Sequence, residues 1–313
     1  MTETGVSVSG WRALAIGDDV LRAVVLPERG AEVHSLVHVP TGTELLFQAP
    51  WGLRPPDPER TSFLERYAGG WQELFPSAND ETTYCGQTIP FHGEVALLPW
   101  ECDLDDRGLV CRVRCRQTPF LLERRMRLED ELVLEERVTN EGDAPEHFTW
   151  GHHLVLGPPF LERGCRLEAP ARTIVTIPEM WEDTARLEPG QVSEWPYARL
   201  RDGGSIDLRE IPGPEAGSHD DVYLTDLEHG VVTVTGAHLR FRMRFDHMLF
   251  RWLISWQPYG GAHDEPLAGS YALGIEPWVS RLPLGDAVAA GEAIELAPSA
   301  SLETTIRVDV QEV

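Results

Sequence analysis

Positive charge is scarce in this chain: 27 Lys and Arg residues stand against 51 Asp and Glu, a formal net charge of −24 over 313 residues. That balance repels a phosphate backbone and anionic lipid headgroups, which argues against nucleic-acid and membrane partners. Long apolar runs are missing, and Met1-Thr2-Glu3-Thr4-Gly5 offers neither a basic nor an apolar segment, so the expectation is a soluble, cytoplasmic protein. Cysteine is rare, with residues at 85, 102, 111, 115 and 165, an odd number without a Cys-x-x-Cys pair. Cys111 and Cys115 alternate with Arg112, Arg114 and Arg116, which puts them on one strand face roughly 13 Å apart, too far for one metal ion; they read as core thiols. Also missing are Gly-x-Ser-x-Gly, a Gly-rich phosphate loop, a dinucleotide-binding fingerprint and His-Glu-x-x-His. The commonest hydrolase, kinase, dehydrogenase and metalloprotease chemistries fall away with them.

What is abundant is apolar residue, at 42% of the chain, enough to bury a core that needs neither disulfide nor metal. Its patterning has period 2. Leu239 to Phe245 reads Leu-Arg-Phe-Arg-Met-Arg-Phe, and Leu302, Thr304, Ile306, Val308 and Val310 alternate with polar residues, so each segment buries one face and wets the other. Further strands are expected at 20–26, 33–39, 94–99, 109–117, 124–129, 131–138, 146–156, 165–169, 230–235, 250–256 and 271–276. Turn residues lie between them at Asn140-Glu141-Gly142-Asp143, Asp202-Gly203-Gly204 and Gly260-Gly261. So many strands without a helical repeat predict an all-β fold, a large antiparallel β-sandwich. Residues 50–60 and 178–220, rich in Pro and acids, read as long loops, and 61–69 as a short helix with Thr61 or Ser62 as cap and Gly69 as stop. No composition shift divides the chain, which is expected to form one domain over 1–313.

Three polar islands interrupt the strand-like sequence: Phe91-His92-Gly93-Glu94, Trp150-Gly151-His152-His153 and Gly274-Ile275-Glu276-Pro277-Trp278. Two imidazoles and a carboxylate brought together can pass a proton in both directions near neutral pH, and the flanking aromatic rings suit a sugar. His92 reads either as a ligand-binding group at a loop-to-strand junction or as a turn histidine bonded to backbone. His152 and His153 point to opposite faces of a strand, so only one enters a pocket on that sheet, and spacing does not say which. Glu276, after the apolar run 271–275, is either a partly desolvated general base or an exposed strand-end acid. Asp220 and Asp221 suit sugar hydroxyls or a surface turn, and Trp71 and Trp278 suit ring stacking or core packing. A metal set of His92, Glu94, His153 and Glu276 has the right ligand types but no recognised spacing.

Taken in order, five stretches resemble the aldose 1-epimerase, or galactose mutarotase-like, family. They are Gly69-Gly70-Trp71-Gln72-Glu73-Leu74-Phe75-Pro76, Phe91-His92-Gly93-Glu94, Val138-Thr139-Asn140 leading to His153-Leu154-Val155-Leu156, Asp220-Asp221-Val222-Tyr223, and Ile275-Glu276-Pro277-Trp278. The resemblance implies a large antiparallel sandwich, a small-molecule carbohydrate as partner, no cofactor and no metal, and interconversion of sugar anomers by ring opening and reclosure. It further implies His153 as general acid on the ring oxygen and Glu276 as base on the anomeric hydroxyl, with His92 and Asp220 on hydroxyls and Trp71, Gln72 and Trp278 at the sugar. Leu154-Val155-Leu156-Gly157 stands where the family has aromatic and Asn positions, which marks a divergent branch. Two rival readings remain open: a carbohydrate-binding or regulatory protein without turnover, and a metal-dependent isomerase or lyase of a sugar acid. The second is suggested by the histidines and by the clusters Arg124, Arg125, Arg127 and Arg242, Arg244, Arg251.

Overall fold

The structure, a computed structural model, describes residues 2–179 and 182–313; Met1, Met180 and Trp181 lie outside it. Among the described residues two large antiparallel sheets carry most of the chain. The first runs Thr2–Val8, Trp11–Gly17, Leu21–Leu26, Glu32–His38, Trp71–Leu74, Gly151–Leu156, Glu276–Trp278, Trp252–Tyr259, Ser218–Thr225, Thr173–Thr176 and Val192–Glu194. The second, of eight strands, runs Arg166–Glu168, Val231–Thr235, Leu239–Arg244, Ser301–Glu312, Leu132–Asn140, Phe120–Leu128, Gly108–Arg114 and Glu101–Asp105. This is the expected sandwich. The period-2 segments explain it directly: Leu239, Phe241 and Met243 are buried while Arg240, Arg242 and Arg244 face outward, and Ile306, Val308 and Val310 supply the neighbouring inward row.

Several expectations are corrected. Residues 94–99 form no strand. The left-handed backbone at His92 (φ 63°) and Gly93 (φ 77°) reverses the chain, both Glu94 and Val95 donate their N–H to the Phe75 carbonyl, and a 3₁₀ turn follows at Val95–Leu97. Gly93 is required there, because a Cβ would sit 2.3 Å from the Phe75 oxygen. The helix expected at 61–69 is only Phe63–Arg66, started by a Ser62 and Glu65 capping box and ended at Tyr67 rather than at Gly69. A second helix, Leu284–Ala290, and the strands Trp11–Gly17 and Trp71–Leu74 were not anticipated.

The cysteines are also revised. Antiparallel register sets Cys102 directly opposite Cys111, with Cα atoms 4.1 Å apart, and the two form a disulfide. Cys111 is therefore no free core thiol, and Cys115 lies beyond the strand that ends at Arg114. No helix among the described residues is long and apolar enough to cross a membrane.

Candidate active site

Four neighbouring strands of the first sheet place one row of side chains on the face turned away from the sandwich core. Gly151 pairs with Trp278, Ile254 with Glu276, and Asp221 with Trp256. Since side chains alternate, His153, Glu276, Trp278, Ile254, Trp256, Asp221 and Tyr223 all project to that face. Together with Phe63 and Tyr67 from the capped helical turn, and Phe91 and His92 from the reversed loop, they line a cleft of about 600 Å³. Gly274 makes room for this convergence: a Cβ there would meet Glu276 Oε1 at 2.4 Å and the Trp256 Cβ at 2.9 Å.

His153 Nε2 lies 3.8 Å from Glu276 Oε1, beyond a direct hydrogen bond but within reach of two oxygens on one carbon placed between them. Aromatic edges surround the imidazole, with Phe63 at 5.5 Å, Tyr67 at 5.2 Å and Trp256 at 6.0 Å between ring centroids. Burial drives the His153 pKa well below its ordinary value, with His92 adding to the effect, and drives that of Glu276 well above, reinforced by Asp221 and opposed by Trp278. Both shifts disfavour charge in the cleft, so burial opposes the separated imidazolium and carboxylate and favours the pair with its transferable proton on Glu276. His92 donates Nδ1–H to the Ala78 carbonyl at 2.7 Å, which leaves Nε2 as an acceptor; burial lowers its pKa to about 3.

Of the residues read from the sequence, His92, His153, Glu276 and Trp278 line the cleft. Asp220 does not, and its place is taken by Asp221. Alternation turns Asp220 to the other face, where it accepts the backbone N–H groups of Arg186 (2.7 Å) and Leu187 (3.1 Å) and pairs with the Arg186 guanidinium at 2.7 Å. Trp71 is core, its indole N–H donating to His152 Nδ1 at 3.2 Å. Gln72 shares the His153 face, but its amide is turned to the Gly69 carbonyl (2.6 Å) and Glu32 (3.2 Å). Glu94, a possible metal ligand by type, instead caps the backbone N–H groups of Arg116 and Gln117. The Arg clusters are engaged as well: Arg125 with Asp105, Arg127 with Glu135, and Arg242 and Arg244 with Asp309. Missed from the sequence were Tyr67 and Trp256, while Asp221 was considered beside Asp220 but not preferred. Trp256 had a usable signal, because it shares strand parity with Ile254.

Asp221 Oδ1 is shut off from solvent and without a hydrogen-bond partner, and burial raises its pKa to about 8. In the unfolded chain the group ionises near pH 4. The native state therefore holds an extra proton between about pH 4 and pH 8, and this contribution to stability, complete below pH 4, is lost as pH rises. Asp221→Asn is expected to remove that slope, worth up to about 1.4 kcal/mol per pH unit. Urea unfolding at pH 5 and pH 8 checks this; a variant no more stabilised at pH 8 than at pH 5 contradicts it.

His152 points the opposite way, into the sandwich. There Glu73 and Glu136 face Arg124, which donates to both carboxylates, at 2.9 Å in the case of Glu136. His152 Nε2 lies 3.2 Å from Glu136 Oε2, and the Trp150 indole donates to Glu73. Glu73, Glu136 and His152 have the grouping of a metal site. Arg124 already supplies the positive charge between the two acids, so the cluster is a buried ion network.

Comparison with curated proteins finds no match. Among solved structures the chain is similar to protein Slr1438 of Synechocystis sp. PCC 6803, with 20% identity, a TM-score of 0.70 and coverage of 99% of this chain and 100% of that one. It is similar also to a provisionally assigned aldose 1-epimerase of Klebsiella pneumoniae, with 17% identity, a TM-score of 0.73 and coverage of 99% and 82%. A galactose mutarotase-like protein of Lactobacillus casei ATCC 334 follows at 16% identity, a TM-score of 0.67 and coverage of 96% and 100%. The fold is thus the galactose mutarotase-like sandwich. A family model matches residues 8–310, and the chain belongs to that family, described as a domain of unknown function, DUF4432.

Proposed function

We propose that the protein is an isomerase of the aldose 1-epimerase type, interconverting the anomers of a neutral sugar through His153 and Glu276. The observation that carries this reading is the 3.8 Å imidazole–carboxyl pair on the floor of an aromatic-walled cleft. One group of the pair takes the proton of the C1 hydroxyl, the C1–ring-oxygen bond breaks with its electrons going to that oxygen, and the other group protonates it. Rotation about C1–C2 and reclosure with the roles reversed gives the other anomer. The pair ends with the single proton it began with, so no co-reactant enters. Burial favours the form with the proton on Glu276; moving it to His153 yields the carboxylate base and imidazolium acid implied by the family resemblance. Each partner typically contributes ~10²–10⁴-fold. His92 Nε2 accepts from a hydroxyl, and protonated Asp221 donates to one.

The charge of the substrate follows from the lining. Asp80, Glu179, Asp221 and Glu276 contribute carboxyl groups, while no Lys or Arg lines the cleft among the described residues. The guanidinium of Arg281 stacks on Tyr223 at 5.9 Å but does not itself line the cleft, so no lining side chain offsets a phosphate or a sugar carboxylate. The chain contains no lysine at all, so a Schiff-base route through a protein amine is closed. Polarimetry on neutral aldoses, the corresponding 6-phosphates and uronic acids tests the proposal. Acceleration confined to neutral sugars is expected, whereas saturable binding without acceleration replaces the enzyme by a binding protein.

A further inference from the structure

The proton transfer uses His153 and Glu276 but leaves unexplained a second buried histidine beside the cleft. His219 is fully buried and stands two residues before Asp221 on the same strand, so it shares the cleft-facing parity. It accepts the indole N–H of Trp256 on Nε2 at 2.7 Å. That bond fixes the neutral tautomer with its proton on Nδ1, and Nδ1 lies 3.2 Å from Glu182 Oε1. The Glu182 carboxylate in turn accepts the backbone N–H of His263, at 3.0 Å and 3.3 Å to its two oxygens. Glu182, His219 and Trp256 thus form a continuous chain of contacts from a loop to the cleft wall.

Trp256 occupies the centre of that wall. It is the cross-strand partner of Asp221, and its ring lies 6.0 Å from His153 and 6.2 Å from Tyr67. With the indole N–H committed to His219, the ring has no polar edge left to offer a ligand and presents its π surface. An indole without that acceptor keeps its packing against the neighbouring rings but loses its one directed hydrogen bond, and with it the anchor of its N–H edge. The loop at the other end matters equally. Ile177, Pro178 and Glu179 line the cleft a few residues before Glu182, and Asp220, next to His219, holds Arg186 of the same loop. Consecutive residues of one strand therefore fasten the loop, and only His219 also touches the ring.

We infer that His219 is a positioning residue: bonded to Trp256 on one nitrogen and facing Glu182 on the other, it fixes the indole as a stacking platform and ties the loop residues 182–187 to it. The identity of the stacked ligand as a sugar rests on the function proposed above; the fixing of the ring does not.

The experiment compares His219→Phe, His219→Gln and Glu182→Ala in the full chain. The exchange of the Trp256 indole proton is read by NMR on tryptophan-labelled protein and assigned with Trp256→Phe. KM and kcat for D-galactose and D-glucose mutarotation are read by polarimetry. Phe removes the acceptor, so indole exchange is expected to rise at least roughly tenfold, with KM up by about tenfold and kcat within about threefold. Gln keeps an acceptor and a donor and is expected to restore protection and most of the KM. Glu182→Ala cuts the chain of contacts from its loop end, serves if the Phe variant does not fold, and is expected to raise exchange and KM in the same direction. Unchanged indole exchange in the Phe and Ala variants overturns the inference, as does a loss confined to kcat. If neither sugar is turned over by the wild type, the sugar reading fails, and the exchange measurement alone still decides whether His219 fixes the ring.

Discussion

Glu276→Gln is expected to lower the rate of mutarotation by about 10³-fold while changing sugar affinity by less than about tenfold. Burial, with a smaller push from Asp221, raises the Glu276 pKa well above the usual carboxylate range and so favours its neutral form. An amide is a close match in shape and hydrogen bonding to that neutral carboxyl, and the cleft should bind as before. What the amide lacks is the ability to give up its proton and take one back, and both halves of the reaction need that step. Kinetic polarimetry together with calorimetric titration separates the two effects. Wild-type turnover in the Gln variant removes Glu276 from the mechanism; a loss of affinity that accounts for the whole loss of activity makes it a binding group only.

The two adjacent aspartates show where reading the sequence stops. Asp220 and Asp221 differ locally by one residue, and the choice between them depends on which face of Ser218–Thr225 the sheet turns to the cleft once the strand is paired with Trp252–Tyr259. That pairing is tertiary, so no local pattern contains it. Parity did establish that only one of His152 and His153 reaches a given face, because alternation is a property of the strand itself. The Leu239–Arg244 and Ser301–Glu312 strands were legible for the same reason: each wets one face, and the alternation survives in the sequence. Gly151–Leu156 is buried on both faces, so its apolar and polar residues show no period, and Trp71–Leu74 is likewise buried throughout. The stretch after His92 misled for a different reason. Val95 and Ala96 are buried as strand residues would be, but burial alone does not distinguish an extended segment from a 3₁₀ turn when the run is four or five residues long. Cys102 and Cys111 are the same problem in another form, nine residues apart along the chain and opposite one another only once the register is set.

The two faces of the Gly151–Leu156 strand should separate catalysis from stability. His153→Ala is expected to abolish most activity with little loss of fold, since the ring borders an open cleft and bonds to no structural partner. The opposite result is expected behind the strand, where Arg124→Leu should cost roughly 3–5 kcal/mol. Arg124 donates to Glu73 on one sheet, to Glu136 on the other and to the Ala31 carbonyl at 3.0 Å. Without it two buried acids face each other with only His152 between them. Burial and the nearby Glu136 already raise the Glu73 pKa to about 7, so in the variant Glu73 should take up a proton and remain neutral. In the wild type burial opposes the Glu136 charge, but His152 and Arg124 prevail and hold its pKa at about 2; of these two, His152 remains beside it in the variant. Adding Glu73→Gln to Arg124→Leu should therefore recover part of the loss, because the double variant retains the Glu136–His152 pair and has one acid fewer to neutralise. Urea unfolding at pH 7 gives the free energies, and polarimetry on the folded fraction gives the activity. If Arg124→Leu is as stable as the wild type, the network holds nothing together. Additivity of the Glu73→Gln and Arg124→Leu losses would show that the two residues do not act through each other.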